Sequence, residues 1–150
     1  PLRPAPDGER SRPCERAFAR AGICGLRYTP DRLRLNTSPY YAWILNGLAL
    51  YRGLTAAGLA AIECFPTASW TRWYGPRGRA PRSAWSRAAL RGLPLAGVPR
   101  RLDQDERDAI AAALTAREHD RHRTERFGDL VVPRRRKTIA LPGRGAPLAL

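Results

Sequence analysis

The sequence contains no methionine, a single lysine (Lys137), two histidines and three cysteines. Each shortage excludes something. Cys14, Cys24 and Cys64 are an odd number with no CxxC spacing, which argues against a disulfide scaffold and against a structural zinc module. They are read as free thiols. His119 and His122 stand three apart but have no second pair at metal-ligand spacing. Long apolar runs are also missing. The longest apolar-leaning segment, Tyr40 to Leu50, falls far short of the roughly 20 residues of a membrane span. The first twenty residues are rich in Arg, Pro and acidic side chains and have no apolar run, unlike a signal peptide. A soluble, cytoplasmic, bacterial protein is expected. The chain opens on Pro1 rather than Met, so its start is expected to be processed or missing.

Basic charge is abundant. Of the 150 residues 27 are basic, all but Lys137 arginine, and the net charge is +14. With many Ala, Gly and Pro, the preference for Arg over Lys is what a GC-rich genome writes by default. The excess itself carries more meaning, because it creates a field that attracts polyanions. Contact with nucleic acid and a merely solvated basic surface both fit it.

Local signals then divide the chain. Residues 1–12 read as an extended Pro/Arg-rich loop. Pro13–Arg20 reads as a short helix with proline in its first turn, closed by Gly22 and Gly25, and residues 26–38 as a polar loop. Ser38 followed by Pro39 is a helix start signal. From Pro39 to Ala57 the residues Tyr40, Ile44, Gly47, Leu48, Tyr51 and Thr55 recur at three- and four-residue steps, a stripe expected to pack on a sheet. Gly58 closes this helix. Leu59–Phe65 reads as a buried strand ended by Pro66, Trp70–Arg79 as an aromatic, basic loop, Ser83–Leu90 as a second main helix, and residues 92–102 as a linker. Asp103 opens the third main helix, with Glu106 completing a capping box. Asp129–Val132 reads as a short final strand. Residues 1–133 are expected to form the C-terminal part of a single domain, and 134–150 a basic, Pro/Gly-rich and poorly ordered tail. One good strand and one weak one make a thin sheet, which suggests further strands before Pro1. The fold class is read as α/β, with helices on a small mixed sheet.

Few residues could carry chemistry. Asp103, Asp105, Glu106 and Asp108 form an acidic cluster in a basic chain. Helix starts favour acids by about 0.3–1 kcal/mol each, which accounts for Asp103, Asp105 and Glu106. Asp108 sits deeper and leads into a close-packing Ala run. Glu63 lies inside an apolar strand, where a carboxylate is costly unless it is paired or binds a metal; an Arg salt bridge is the simple alternative. Carboxylates at a strand end and a helix start can hold Mg²⁺ or Mn²⁺, as in two-metal nucleases with ions roughly 4 Å apart. Trp73, Arg77 and Arg79 in the aromatic loop could meet bases and phosphates, although packing of Trp70 and Trp73 over the sheet edge is the more usual fate of tryptophan. Arg134 and Arg135, in the cluster ending at Lys137, could touch a phosphate backbone or be solvated. Cys14 and Cys64 read as small buried residues rather than nucleophiles.

Several segments, in order, resemble one family: RPCERAFARAGI (12–23), YYAWILNGLALYRGL (40–54), IECFPTASW (62–70), QDERDAIAAALTAREH (104–119) and FGDLVVP (127–133). Together with the E-x-F/Y-P motif at Glu63–Pro66 and the D-A-x-x-A-A-x-T-A motif from Asp108, they are similar to the family called domain of unknown function 429. That family is predicted to consist of nucleases with a ribonuclease-H-like fold. The resemblance implies that Asp108 takes the place of the helix acid of a metal site, and Glu63 that of a strand glutamate; Asp105, three residues before Asp108 and so on the same helix face, is a further candidate by its spacing. It also implies two upstream acids, on a first strand and in an Asp-Ala-Pro-Leu motif. Pro1-Leu2 stands where that second motif would end, so half of the site is expected before residue 1 and the fragment is expected to be inactive. The expectation is a metal-dependent phosphodiesterase acting on nucleic acid; the alternative is a non-catalytic nucleic-acid-binding or scaffold module on the same fold. A small phosphorylated ligand would call for a Gly-rich phosphate loop, which the sequence does not show.

Overall fold

The computed structural model describes residues 1–135. The expected poor order of the tail, and Lys137 with it, falls mostly outside these residues. Among the described residues six α-helices pack around a three-stranded mixed sheet, which agrees with the α/β reading.

Helix α1 (Pro13–Arg20) starts on proline, where a missing N–H costs nothing. Glu15 accepts the Arg12 backbone N–H at 2.9 Å, which secures the first turn. The segment before it is tied down. Asp31 accepts N–H groups from both Gly8 and Arg34 at 2.9 Å, capping a short helix, α2 (Arg32–Leu35), and pinning the entering chain across it. The sequence reading of 26–38 as loop missed α2, because four residues are too few to show a period.

Ser38 accepts from the Tyr40 N–H at 3.2 Å and opens a 3₁₀ turn over Pro39–Tyr41, which runs into α3 (Ala42–Ala56). Gly58, with φ of +72°, allows a Schellman ending, in which Leu59 N–H bonds Leu54 C=O and Gly58 N–H bonds Thr55 C=O. The expected packing of this stripe on the sheet is corrected. Ile44 and Leu48 bury against Leu35 of α2, with Tyr41 and Leu45 around them. Periodicity identifies an apolar face but cannot name its partner.

Strand β1 is only Glu63–Cys64, shorter than the expected Leu59–Phe65. Its one neighbour is β3 (Leu130–Pro133), paired in parallel with Glu63 opposite Leu130 and Cys64 opposite Val131. Residues 59–62 have no strand beside them and stay irregular. Pro66 then begins α4 (Pro66–Tyr74), stopped by Gly75 at φ +108°, so the first half of the expected aromatic loop is helix. Helices α5 (Arg82–Arg91) and α6 (Gln104–Asp120) follow, the latter with the anticipated Asp103–Glu106 capping box at 2.7 and 2.8 Å. Strand β2 (Thr124–Phe127), which the sequence reading missed, makes an antiparallel hairpin with β3. Gly128, at φ +59°, supplies the first residue of the two-residue turn, as hairpins of the II′ kind require.

The strand order is β1-β3-β2. Central β3 is buried throughout. Leu130 and Val132 pack on α1 through Phe18, which meets Phe65 and Phe127 edge-on at 6.2 and 5.6 Å. A second core joins α4, α5 and α6 around Trp70, Trp85, Ala89, Leu90 and Ala111. Between α4 and α6, Thr115 donates to Ala111 C=O, so the buried Ser69 hydroxyl donates to Thr115 at 2.7 Å.

Candidate functional site

A cleft of about 810 Å³ opens where α1, the 23–29 segment, α3, β1 and the start of α4 converge. Glu63 reaches it because β1 ends there, at the edge of the sheet. Glu63 is 6 % exposed, and its carboxylate accepts three hydrogen bonds. Arg12 grips it with two terminal nitrogens, Nη1 to Oε2 at 2.7 Å and Nη2 to Oε1 at 2.5 Å, and the Leu2 N–H adds a bond of 2.8 Å. The third donor of the guanidinium, Nε, goes to Glu15 Oε1 at 3.0 Å. Glu15, 1 % exposed, also takes the Thr29 N–H at 3.0 Å. The strand glutamate is therefore one end of a buried Glu–Arg–Glu triad that ties β1 to α1 and the 23–29 segment. Of the two readings of Glu63 open from sequence, the salt bridge is realised.

The triad sets the electrostatics around it. Burial alone would lower the Arg12 pKa, but hydrogen bonds and charge from Glu63, with the charge of Glu15, outweigh it and hold the pKa above the ordinary arginine value. Burial, reinforced by Glu63, pushes the Cys64 thiol up to about 11 and the Tyr51 hydroxyl up to about 12. Burial likewise raises Cys24 to about 11. These thiols are protonated at neutral pH, so they are poor nucleophiles. Cys14 is buried and its pKa is raised, chiefly by desolvation.

Asp108 lies on α6 and is not among the residues lining the cleft. Arg82 Nη2 meets its Oδ2 at 2.6 Å, Gln104 meets Oδ1 at 3.0 Å, and the indole N–H of buried Trp70 points to Oδ1 at 3.4 Å. A carboxylate one turn inside the helix is thereby accounted for: it satisfies a buried tryptophan and anchors α5 to α6. Arg82 also lines the cleft, so Asp108 touches the cleft only through its partner. Asp105 is exposed on the first turn of α6. The structure thus does not gather Glu63, Asp105 and Asp108. Among the described residues no three His, Cys, Asp or Glu side chains form a metal-ligand group. Glu63 and Asp108 are each engaged by an arginine and other donors, and no catalytic step is derived from them. His119 Nδ1 is engaged by the Thr124 hydroxyl at 2.9 Å.

What the cleft does present is cationic and aromatic. Arg27 and Arg77 line it, both exposed, and neither enters an ion pair among the described residues. Arg27 stands over the Tyr40 ring at 5.7 Å. Trp43, on α3, is 55 % exposed and faces the same cleft. Sequence reasoning singled out Arg77 but missed Arg27 and Trp43. Trp73, for which nucleic-acid contact and packing were both open from sequence, packs edge-on against Trp70 at 5.6 Å and joins the second core. Arg79 is exposed outside the cleft lining. Arg134 and Arg135 are exposed just beyond β3, and Arg134 Nε donates to Thr124 C=O at 3.1 Å.

Compared with family models, curated proteins and solved structures, the chain matches none. No helix of the described residues is long and apolar enough to cross a membrane.

Proposed function

We propose that this chain is a nucleic-acid-binding module, of the ribonuclease-H-like kind that the resemblance to the domain of unknown function 429 implies. One observation carries the reading. The cleft is lined by Arg27 and Arg77, which have no carboxylate partner among the described residues, and by the exposed Trp43, while its buried acids, Glu63 and Glu15, are both bonded to Arg12. Phosphates would meet the free guanidinium groups, and a base would stack on Trp43, a contact worth about 1–3 kcal/mol per base in single-strand binders. The net charge of +14 supplies long-range attraction. Three free thiols suit a reducing compartment, so we place the protein in the cytoplasm.

Fluorescence anisotropy with labelled single-stranded DNA and RNA tests this. Binding is expected in low salt and should weaken linearly in log–log form as salt rises. No binding of either strand at about 50 mM salt, where phosphate contacts are strong, would overturn it. Metal-dependent phosphodiester hydrolysis is what the resemblance adds, and the same samples incubated with Mg²⁺ or Mn²⁺ and run on a gel address it. Cleavage abolished by Asp108→Asn would support a catalytic acid there. Cleavage unaffected by that change would remove Asp108 from any such role.

A further inference from the structure

A second cavity, of about 430 Å³, is formed by α5, the 92–102 segment and the first turns of α6. Its wall is largely apolar: Leu90, Leu93, Leu95, Val98, Pro99 and Leu102. Four arginines complete it. Arg87, Arg91 and Arg100 are exposed at its surface, and Arg107 is 3 % exposed within it.

Arg107 is the unusual member. Its Nε donates to Ser86 Oγ at 2.9 Å, one terminal nitrogen to Leu102 C=O, and the other to Gln104 Oε1 at 3.1 Å. Every one of these acceptors is neutral. None of the ion pairs among the described residues includes Arg107, Arg87, Arg91 or Arg100. A guanidinium has five N–H groups, so two on Arg107 remain after these bonds. Buried charges are normally paired, because an uncompensated one is costly to remove from water. Arg12 in the same molecule meets two carboxylates. Arg107 meets none, and it lines a cavity.

We propose that this cavity is a binding site for a small organic anion with an apolar body and a single carboxylate. The carboxylate pairs with Arg107 and is held by Arg100 or Arg91 at the rim. The apolar body covers Leu90, Leu93, Leu95 and Val98. The volume falls within the range of small-molecule sites, about 300–1,000 Å³. The apolar wall selects against inorganic anions, which would leave it wet, and the unpaired guanidinium selects against neutral hydrocarbons. The site is separate from the Glu63 cleft and stands whether or not that cleft binds nucleic acid.

Titration calorimetry with octanoate as the probe, and 1-octanol and acetate as the comparison probes, tests the proposal on the full chain. Octanoate is expected to bind at least about tenfold more tightly than either, the size of effect expected for a charge-assisted hydrogen bond in a site that also buries an alkyl chain. Arg107→Met should abolish the preference of octanoate over octanol. If circular dichroism shows that variant to be unfolded, Arg100→Gln with Arg91→Gln on the exposed rim decides, with an expected several-fold loss for octanoate and none for octanol. Equal binding of octanoate and octanol to the parent, no octanoate binding, or an unchanged octanoate affinity in the folded variants would overturn it.

Discussion

The Glu63 cleft and the Arg107 cavity each contain a buried arginine, and they differ in how that charge is met. In the cleft Arg12 spends its donors on two glutamates, Arg82 pairs with Asp108, and Arg27 and Arg77 stand exposed to solvent. In the cavity the buried guanidinium is held by a carbonyl, a hydroxyl and an amide, with no carboxylate. Identity alone does not separate structural from functional charge. The same residue type serves as a staple where its countercharge is internal and as a receptor where it is not.

The comparison can be broken by removing each arginine. Arg12→Met strands two carboxylates that are almost wholly buried, and breaking a buried pair from one side costs about 3–5 kcal/mol. Urea unfolding should show a loss of that order or no folded protein. A stability within about 1 kcal/mol of the parent would mean that the triad is not the staple described. Arg107→Met removes a charge with no ionic partner and leaves neutral acceptors behind, which cost about 1–3 kcal/mol when unsatisfied. It should therefore be the milder of the two, and the reverse order would contradict the distinction.

The thiols sharpen the picture of the cleft wall, which Cys24 and Cys64 line, each half-buried. With Cys24 and Cys64 each at about 11, alkylation near pH 8 should be slow in the native protein and become rapid in urea. Mass spectrometry after timed labelling reads this directly. Fast native labelling at both positions would mean that burial does not hold these thiols protonated as described.

The smallest effect lies at the surface. Arg3 bonds Asp129 beside the hairpin turn through Nε and Nη2, at 2.6 and 2.5 Å, but its side chain is 71 % exposed. The hydrogen bond from Arg3 lowers the Asp129 pKa below 3.8. A depressed folded pKa stabilises above the unfolded value and is lost as pH falls through the folded one. Solvent screening limits an exposed pair to about 0.2–1 kcal/mol. Arg3→Ala should thus cost little at pH 7, and the difference from the parent should shrink to nothing in acid as the pH falls through the lowered pKa of the folded Asp129. A difference that persists there would assign the effect to packing instead.

Much of the architecture was legible because it is written in local chemistry. Pro13, Ser38-Pro39 and Asp103 with Glu106 mark helix starts by their hydrogen-bonding needs, and Gly58 marks an end by its positive φ. What was hidden depends on partners distant in sequence. The length of β1 is set by the strand beside it, and α3 could not announce that Leu35 would cover it. The same holds for the site. Glu63 stood out as a misplaced charge, yet its meaning rests on Arg12, 51 residues away, and that of Asp108 on Trp70 and Arg82. Arg107 gave no signal at all among so many arginines, because an absent countercharge is visible only once the neighbours are in place.

The most direct measurement is the affinity of a labelled single-stranded oligonucleotide for three proteins: the parent, Arg27→Ala with Arg77→Ala, and Arg100→Gln with Arg91→Gln. The cleft variant should bind more weakly and show a salt dependence shallower by about 1.4, since each lost contact to a single strand removes about 0.7 from the slope. The cavity variant should keep the parent slope and affinity. Equal weakening by both variants, or no change in the cleft variant, would contradict the assignment of the nucleic-acid surface to the Glu63 cleft.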